Sequence, residues 1–305
     1  MKIKDIVSLA FLTTEEIYEI IETAGNLKRE MRAGVKHEML AGKTLGMIFQ
    51  KPSLRTRVSF ETGMIQLGGH AIYLGPDDIK LGKRETTEDI AIVLSRYVDG
   101  IMARTFGHDI VVDLAKYASI PVINGLSDLL HPCQVLGDLL TIWEKKRKLS
   151  GLTLTFIGDG NAVSHSLING CTKVGMNFCI ACPTATGYQP DKGIVRAARE
   201  AGGSIEILHD VEEATSKADV LYTDVWAGMG QEARAKEKKR VLTGFTIDET
   251  LMKVAKDDAL IMHCLPAHYE EEITYAASRD TRSAIFDQAE NRMHAQKAIL
   301  ALLLS

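Results

Sequence analysis

Residues 43–67 read KTLGMIFQKPSLRTRVSFETGMIQL. Lys43 to Gln50 is a short, largely apolar run, the pattern of a strand buried on both faces. Pro52 ends it, and Ser53 to Leu67 carries its apolar residues at helical spacing. This is a strand end, a proline at the helix start, two hydroxyl residues (Ser53, Thr56) and two arginines (Arg55, Arg57). The first N–H groups of a helix have no partner within it, and the dipole makes that end positive, so the turn suits an anion. Arginine adds bidentate donors matched to phosphate. The plainer alternative is a capped helix with Arg57 paired to Glu61 at i+4.

The same alternation continues outward. Strands are expected at His70–Leu74, Gly100–Thr105 and Pro121–Asn124. Helices are expected at Thr86–Tyr97, Asp109–Tyr117 and Pro132–Lys146. Upstream, Thr13 and Glu16 form a capping box ahead of Ile17, Ile20, Ile21, Ala24 and Leu27 at helical spacing. Downstream, strands fall at Leu152–Ile157, Phe178–Cys182, Ser204–Leu208, Val220–Thr223 and Leu260–His263. Helices fall at Val163–Val174, Asp191–Ala201 and about Ala289–Leu303. Strand–helix alternation predicts parallel sheets with helices on both faces. The expected fold is two doubly wound α/β domains, residues 1–146 and 147–288, with a cleft between them and ligands at the carboxyl ends of the strands.

Across 305 residues, 36 Lys and Arg against 40 Asp and Glu give a net charge of −4. Broad nucleic-acid or membrane-surface electrostatics need a basic excess and are disfavoured. No apolar run reaches the ~18 residues of a membrane helix. Lys2, Lys4 and Ile6–Leu12 faintly resemble a signal peptide, but Asp5 and the helix start at Thr13 oppose that reading. Five irregularly spaced cysteines (Cys133, Cys171, Cys179, Cys182, Cys264) predict reduced thiols and a cytoplasmic protein. Cys179 and Cys182 lie in a strand and lack further zinc ligands nearby, so core packing is expected and no metal.

Further motifs fall at strand ends. Gly158-Asp-Gly160 follows a strand, but Val163 replaces the third glycine of a dinucleotide fingerprint, and no acidic residue ends the next strand. Asn161 there is suited to a ligand carboxylate. His131-Pro132-Cys133-Gln134 opens a helix, where Pro132 fits the first position and imidazolium is disfavoured. Asp224-Val225-Trp226 ends a strand with a carboxylate able to hold a cationic amine, or simply to cap a turn. His263-Cys264-Leu265-Pro266 ends another and turns sharply at Pro266. Asp287 to Arg292 opens the last helix.

Taken in order, Ser53-Leu-Arg-Thr-Arg57, His131-Pro-Cys-Gln134, Asp224-Val-Trp226, His263-Cys-Leu-Pro266 and Asn291-Arg292 resemble the ornithine carbamoyltransferases over the whole chain. The resemblance implies a carbamoyl-phosphate domain and an ornithine domain joined by two helices, with helix 289–305 packing back onto the first, and a catalytic homotrimer or assembly of trimers. It implies that Ser53, Leu54, Arg55 and Thr56 cradle the phosphate, and that Arg104 bridges phosphate and carbonyl oxygen. It implies that His131 and Gln134 contact the carbamoyl group, that Arg292 adds a carbamoyl-phosphate contact, and that Cys264 and Leu265 are shared by both substrates. Asn161, Asp224, Gly228 and Met229 match ornithine positions. Lys80 matches a residue that reaches a neighbouring subunit's site.

The implied chemistry is attack of a neutral amine on the carbamoyl carbon, with Arg104, His131 and Thr56 as donors to the oxyanion and Asp224 and Cys264 orienting the amine. It needs no covalent intermediate, cofactor or metal. Three positions depart from the family pattern: Gly228 for a serine, Lys80 for Gln or His, and Ala162 for a second Asn. Gly228 keeps a putrescine enzyme in view. Enzymes acting on aspartate or N-acetylornithine, and a non-catalytic binding module, are rival functions, and the complete phosphate cradle opposes the last.

Overall fold

The structure, a computed structural model, describes residues 2–79, 85–228 and 232–305. The chain divides into two compact units, Met1–Leu140 with Asn291–Ser305, and Thr141–Glu290.

In the first unit, α1 (Thr14–Arg32) starts at the Thr13–Glu16 capping box. It is followed by β1 (Thr44–Phe49), α2 (Leu54–Gln66), β2 (His70–Leu74), α3 (Pro76–Ile79), α4 (Thr87–Leu94), β3 (Gly100–Arg104), α5 (His108–Tyr117), β4 (Val122–Leu126) and α6 (Pro132–Lys146). All strand pairs are parallel, in the order β2-β1-β3-β4. The sheet's buried Ile48, Ile101, Ala103 and Val122 pack against Ile90 of α4 and Val111 and Leu114 of α5. The apolar run at the amino end belongs to this unit's core: Ile6, Leu9 and Leu12 are buried, and Ile6 bridges to Ile123 of β4.

In the second unit come β5 (Thr153–Ile157), α7 (Ala162–Val174), β6 (Asn177–Ala181), α8 (Lys192–Glu200), β7 (Ile205–Leu208), α9 (Val211–Thr215), β8 (Val220–Thr223), α10 (Ala235–Leu242), β9 (Leu260–His263) and α11 (Tyr275–Arg279). The last helix, α12 (Ile285–Leu304), starts in this unit and from Asn291 onward belongs to the first. These strands are also parallel, ordered β7-β6-β5-β8-β9. Both orders reverse beside the first strand of the sheet. The topological switch points are therefore β1/β3 and β5/β8, where ligands of open α/β sheets sit.

Several expectations shift. Ser53 caps α2, its hydroxyl accepting from the Thr56 N–H, so Pro52 lies outside the helix rather than at its start. The last helix begins at Ile285, four residues before the expected Ala289. Ile285 is buried in the second unit's core, and the Ala284 N–H donates to Ile261 O. Leu265, rather than Pro266 alone, makes the turn after β9. It adopts φ +57° ahead of a cis Leu265–Pro266 bond. Cys179 and Cys182 are buried, and burial pushes their thiols up to about 12 and about 11, consistent with packing. Among the described residues no helix is long and apolar enough to cross a membrane.

Of the glycines that hold close approaches, two lie beside the motifs singled out in the sequence. A Cβ on Gly160 would lie 2.4 Å from the Gln189 backbone, and the Gly160 N–H donates to Tyr188 O at 2.7 Å. That glycine serves internal packing. A Cβ on Gly137 would lie 2.8 Å from Arg292 Cα. Gly137→Ala is expected to cost about 1–3 kcal/mol of stability by overpacking. The same crowding would displace Arg292, and denaturation of the variant beside the wild type would check the cost.

Candidate active site

In the first unit the register sets Phe49 beside Arg104, so the head of α2 and the end of β3 meet at the switch point. Thr56 is fully buried. Its Oγ1 accepts from Arg104 Nη1 at 3.3 Å and from Arg292 Nη2 at 2.5 Å, and lies 3.0 Å from Ser53 Oγ. Two guanidiniums thus converge on one hydroxyl at a helix N-terminus. Leu54 is 75% exposed, so only its backbone N–H is available to an anion. Arg57 takes the plainer reading: it pairs with Glu61 at 3.3 Å and lies over the Tyr73 ring. Arg55 is half-buried and forms no side-chain hydrogen bond or ion pair with another described residue.

His131 precedes Pro132 at the start of α6 and is buried. Burial, then the charges of Arg292, Arg104 and Arg55, hold its pKa well below the usual imidazole range. It stays neutral, keeping one N–H to donate and one nitrogen to accept. The unfolded chain takes up a proton here below about pH 6.5, and the folded chain does not. The unfolded state then binds more protons, so stability rises with pH up to that value and falls below it. Denaturation at pH 5 and pH 7 should show this slope, and His131→Asn should reduce it by at most about 1.4 kcal/mol per pH unit. Gln134 is fixed by its neighbour at i+4. Its Nε2 donates to Asp138 Oδ1 at 2.9 Å, leaving Oε1 buried with no hydrogen-bond partner among the described residues. Because a carboxylate only accepts, the amide of Gln134 is held on Asp138 and its carbonyl is the group left to accept.

In the second unit the adjacent strands β5, β8 and β9 bring Asn161, Asp224 and Cys264 together. Asp224 Oδ2 accepts from Asn161 Nδ2 at 3.1 Å. Asp224 Oδ1 accepts from Cys264 Sγ at 2.9 Å and from the Val225 N–H at 2.8 Å. Asn161 also caps α7: its Oδ1 accepts from the Val163 and Ser164 N–H groups. The amide is therefore oriented with Nδ2 outward. Leu265 donates its N–H to His263 Nδ1 at 2.8 Å, and His263 Nε2 lies 3.1 Å from Glu272 Oε1. Both side chains are fully buried. With Nδ1 accepting, Nε2 carries the proton and Glu272 fixes the imidazole beneath the Cys264–Leu265 turn. Sequence reading singled out His263 but not Glu272 or Asp138. Asp138 stands at i+4 from Gln134, a signal that was available. Among the described residues, nothing lies within 4 Å of a Cβ placed on Gly228. Lys80 and Met229 lie outside the described residues.

Together these features define a two-unit parallel α/β protein with a cationic anion cradle at the strand ends of one unit and a carboxylate–thiol site at those of the other. The family described as aspartate/ornithine carbamoyltransferase matches twice: its carbamoyl-P binding domain over residues 4–144, and its Asp/Orn binding domain over residues 150–303. The chain is 53% identical to the ornithine carbamoyltransferase of Pyrococcus horikoshii, covering 100% of this chain and 96% of the relative. It is 52% identical to the anabolic enzyme of Pyrococcus furiosus, over 99% and 96%. The solved Pyrococcus furiosus structure superposes with a TM-score of 0.94 at 52% identity, covering 99% of this chain and 97% of that one. That of Thermus thermophilus gives 0.91 at 41% identity, covering both chains fully. The chain belongs to the aspartate/ornithine carbamoyltransferase family, among its ornithine carbamoyltransferases.

Proposed function

We propose that this protein transfers the carbamoyl group of carbamoyl phosphate to the side-chain amine of L-ornithine, giving L-citrulline and phosphate, as a cytoplasmic step of arginine biosynthesis. The convergence of Arg104 and Arg292 on buried Thr56 carries the reading. This is concentrated positive charge at a helix N-terminus, suited to a phosphate dianion. Ser53, Leu54 through its N–H, Arg55 and Lys80 complete the cradle. Neutral His131 and Arg104 donate to the oxygen that becomes negative, and Gln134 accepts from the carbamoyl NH₂.

Ornithine's ammonium, with a pKa of about 10, must first lose a proton. Asp224 and Cys264 orient the amine, and Asn161, Gly228 and Met229 hold the amino-acid head group. Leu265 borders both substrates. The amine lone pair forms the N–C bond, the carbonyl becomes an oxyanion, and its collapse breaks the C–O bond to phosphate, which leaves with the electron pair. The nitrogen then sheds its extra proton. No covalent intermediate forms on the protein. A homotrimer, or an assembly of trimers, is the proposed quaternary state. Leu54, Val58 and Ile65 form an exposed apolar row along α2 of the kind subunit contacts cover.

Gly228 supports a second reading, a putrescine enzyme, because a glycine offers no hydroxyl to an amino-acid head group. The test is ureido-product formation from carbamoyl phosphate with ornithine, putrescine, lysine, N-acetylornithine and aspartate in parallel. Strong preference for ornithine is expected. Preference for putrescine would select the second reading, and no product with any amine would overturn both.

A further inference from the structure

Close to Asn161 in the chain lies one half of a buried ion pair that none of the preceding steps uses. Lys238 Nζ of α10 donates to Asp159 Oδ2 at 2.6 Å, and the two side chains are only 4% and 5% exposed. Asp159 sits two residues before Asn161, whose amide holds Asp224. Burial pushes the Asp159 carboxyl above its usual range, with Lys238 opposing that and the nearby Asp224 charge adding to it. A buried ion pair is weak as a stabiliser, since apolar residues of the same volume often do as well or better. Its presence here calls for another role.

We propose that Lys238 is a positioning residue for the amine half of the site: its ammonium cancels the charge of Asp159, two residues from the Asn161 that holds Asp224, so that the carboxylate–thiol pair acts on the amine without a second uncompensated anion nearby. Two uncompensated carboxylates there would hold the substrate nitrogen as its ammonium, which cannot attack. They would also make the Cys264 thiol, which already donates to Asp224, harder to ionise. The amine part of the inference rests on the proposed function; the effect on Cys264 does not. Among the described residues, the charged and titratable groups linked at this corner include Asp159 from the β5–α7 turn, Asp224 after β8, Cys264 after β9, Lys238 from α10, and the Cys182 thiol after β6. Burial and Asp159 push that thiol up to about 11, so it stays neutral.

Cys264 is the partly exposed cysteine, and the other four are buried. Its alkylation by iodoacetamide against pH therefore reads the local field without any substrate. In Lys238→Met the alkylation midpoint should rise by about one pH unit. The double variant Asp159→Asn/Lys238→Met should return it to the wild-type value. In parallel, Lys238→Met should raise KM for ornithine about tenfold and leave KM for carbamoyl phosphate within about twofold. An unmoved midpoint in Lys238→Met overturns the proposal. Where that variant fails to fold, Asp159→Asn carries the test. Its uncompensated ammonium should lower the midpoint, and no change there equally overturns the proposal. A moved midpoint in a protein that carbamoylates no amine would sink the functional reading and leave the charge-cancelling role standing.

Discussion

Arg55→Ala should lower kcat/KM for carbamoyl phosphate by about a thousandfold, on the order of 4 kcal/mol of transition-state stabilisation, while the protein melts where the wild type does. The two halves of this expectation have one cause. Arg55 stands in the first turn of α2, beside the free N–H groups of that helix, and its charge reaches His131. Yet its guanidinium makes no side-chain hydrogen bond or ion pair with another described residue. A donor fork that satisfies nothing in the fold contributes little to stability, and removing it should stay within about 0.5 kcal/mol. Arg57, two residues on, is the control. It is committed to Glu61 and the Tyr73 ring, so Arg57→Ala should leave kcat/KM within a few-fold. Arg55→Lys should recover only part of the loss, because an ammonium cannot make the bidentate contact. Steady-state kinetics with thermal melts decide the matter. Activity within tenfold of wild type in folded Arg55→Ala would remove Arg55 from the cradle.

The contrast between these arginines marks how far the sequence could be read. Both sit at positions the chain pattern flags; the i+4 spacing offered Glu61 as a partner for Arg57, and the structure adds the Tyr73 ring that the spacing does not show. The strands were legible because each is a short apolar run bounded by polar residues, and α1 because its buried positions fall at helical spacing. The helix α10 was not, for a physical reason. Its sequence, Ala235 to Leu242, is mostly charged, and its buried residues are Leu242 and a lysine, Lys238. Periodicity registers apolar residues, so a lysine buried against an aspartate 79 positions away leaves no trace. The helix α12 hides its packing in the same way: Gln288, Asn291, Arg292, His294, Gln296 and Lys297 are all buried. The short helices α3, α9 and α11 carry four or five residues each, too few to show a period. The motifs placed Asn161, Asp224 and Cys264 each at a strand end. That they touch depends on the order β5-β8-β9, which alternation alone does not specify.

Asp224→Asn isolates the other half of the reaction. Asp224 accepts at both carboxylate oxygens, from Asn161 Nδ2 on one side and from the Cys264 thiol and Val225 N–H on the other. An asparagine at this position keeps the size and loses one acceptor. Whichever way its amide turns, an NH₂ faces an existing donor, either the Asn161 amide or the Val225 N–H and Cys264 thiol. The charge that attracts a cationic amine also disappears. The losses compound, because a half-buried donor left facing a donor costs part of the roughly 1–3 kcal/mol of a fully buried one before any effect on substrate. We expect kcat/KM for ornithine to fall by about a hundredfold to ten-thousandfold, the span for removing an ionic interaction along with the network that orients it. Carbamoyl phosphate should bind as before, since Thr56, Arg55, Arg104, Arg292 and His131 belong to the other unit. Calorimetric titration with carbamoyl phosphate beside ornithine kinetics separates the two. A loss confined to ornithine assigns Asp224 to the amine. An equal loss for both substrates would mean that it supports the fold, and the division of labour between the units would have to be redrawn.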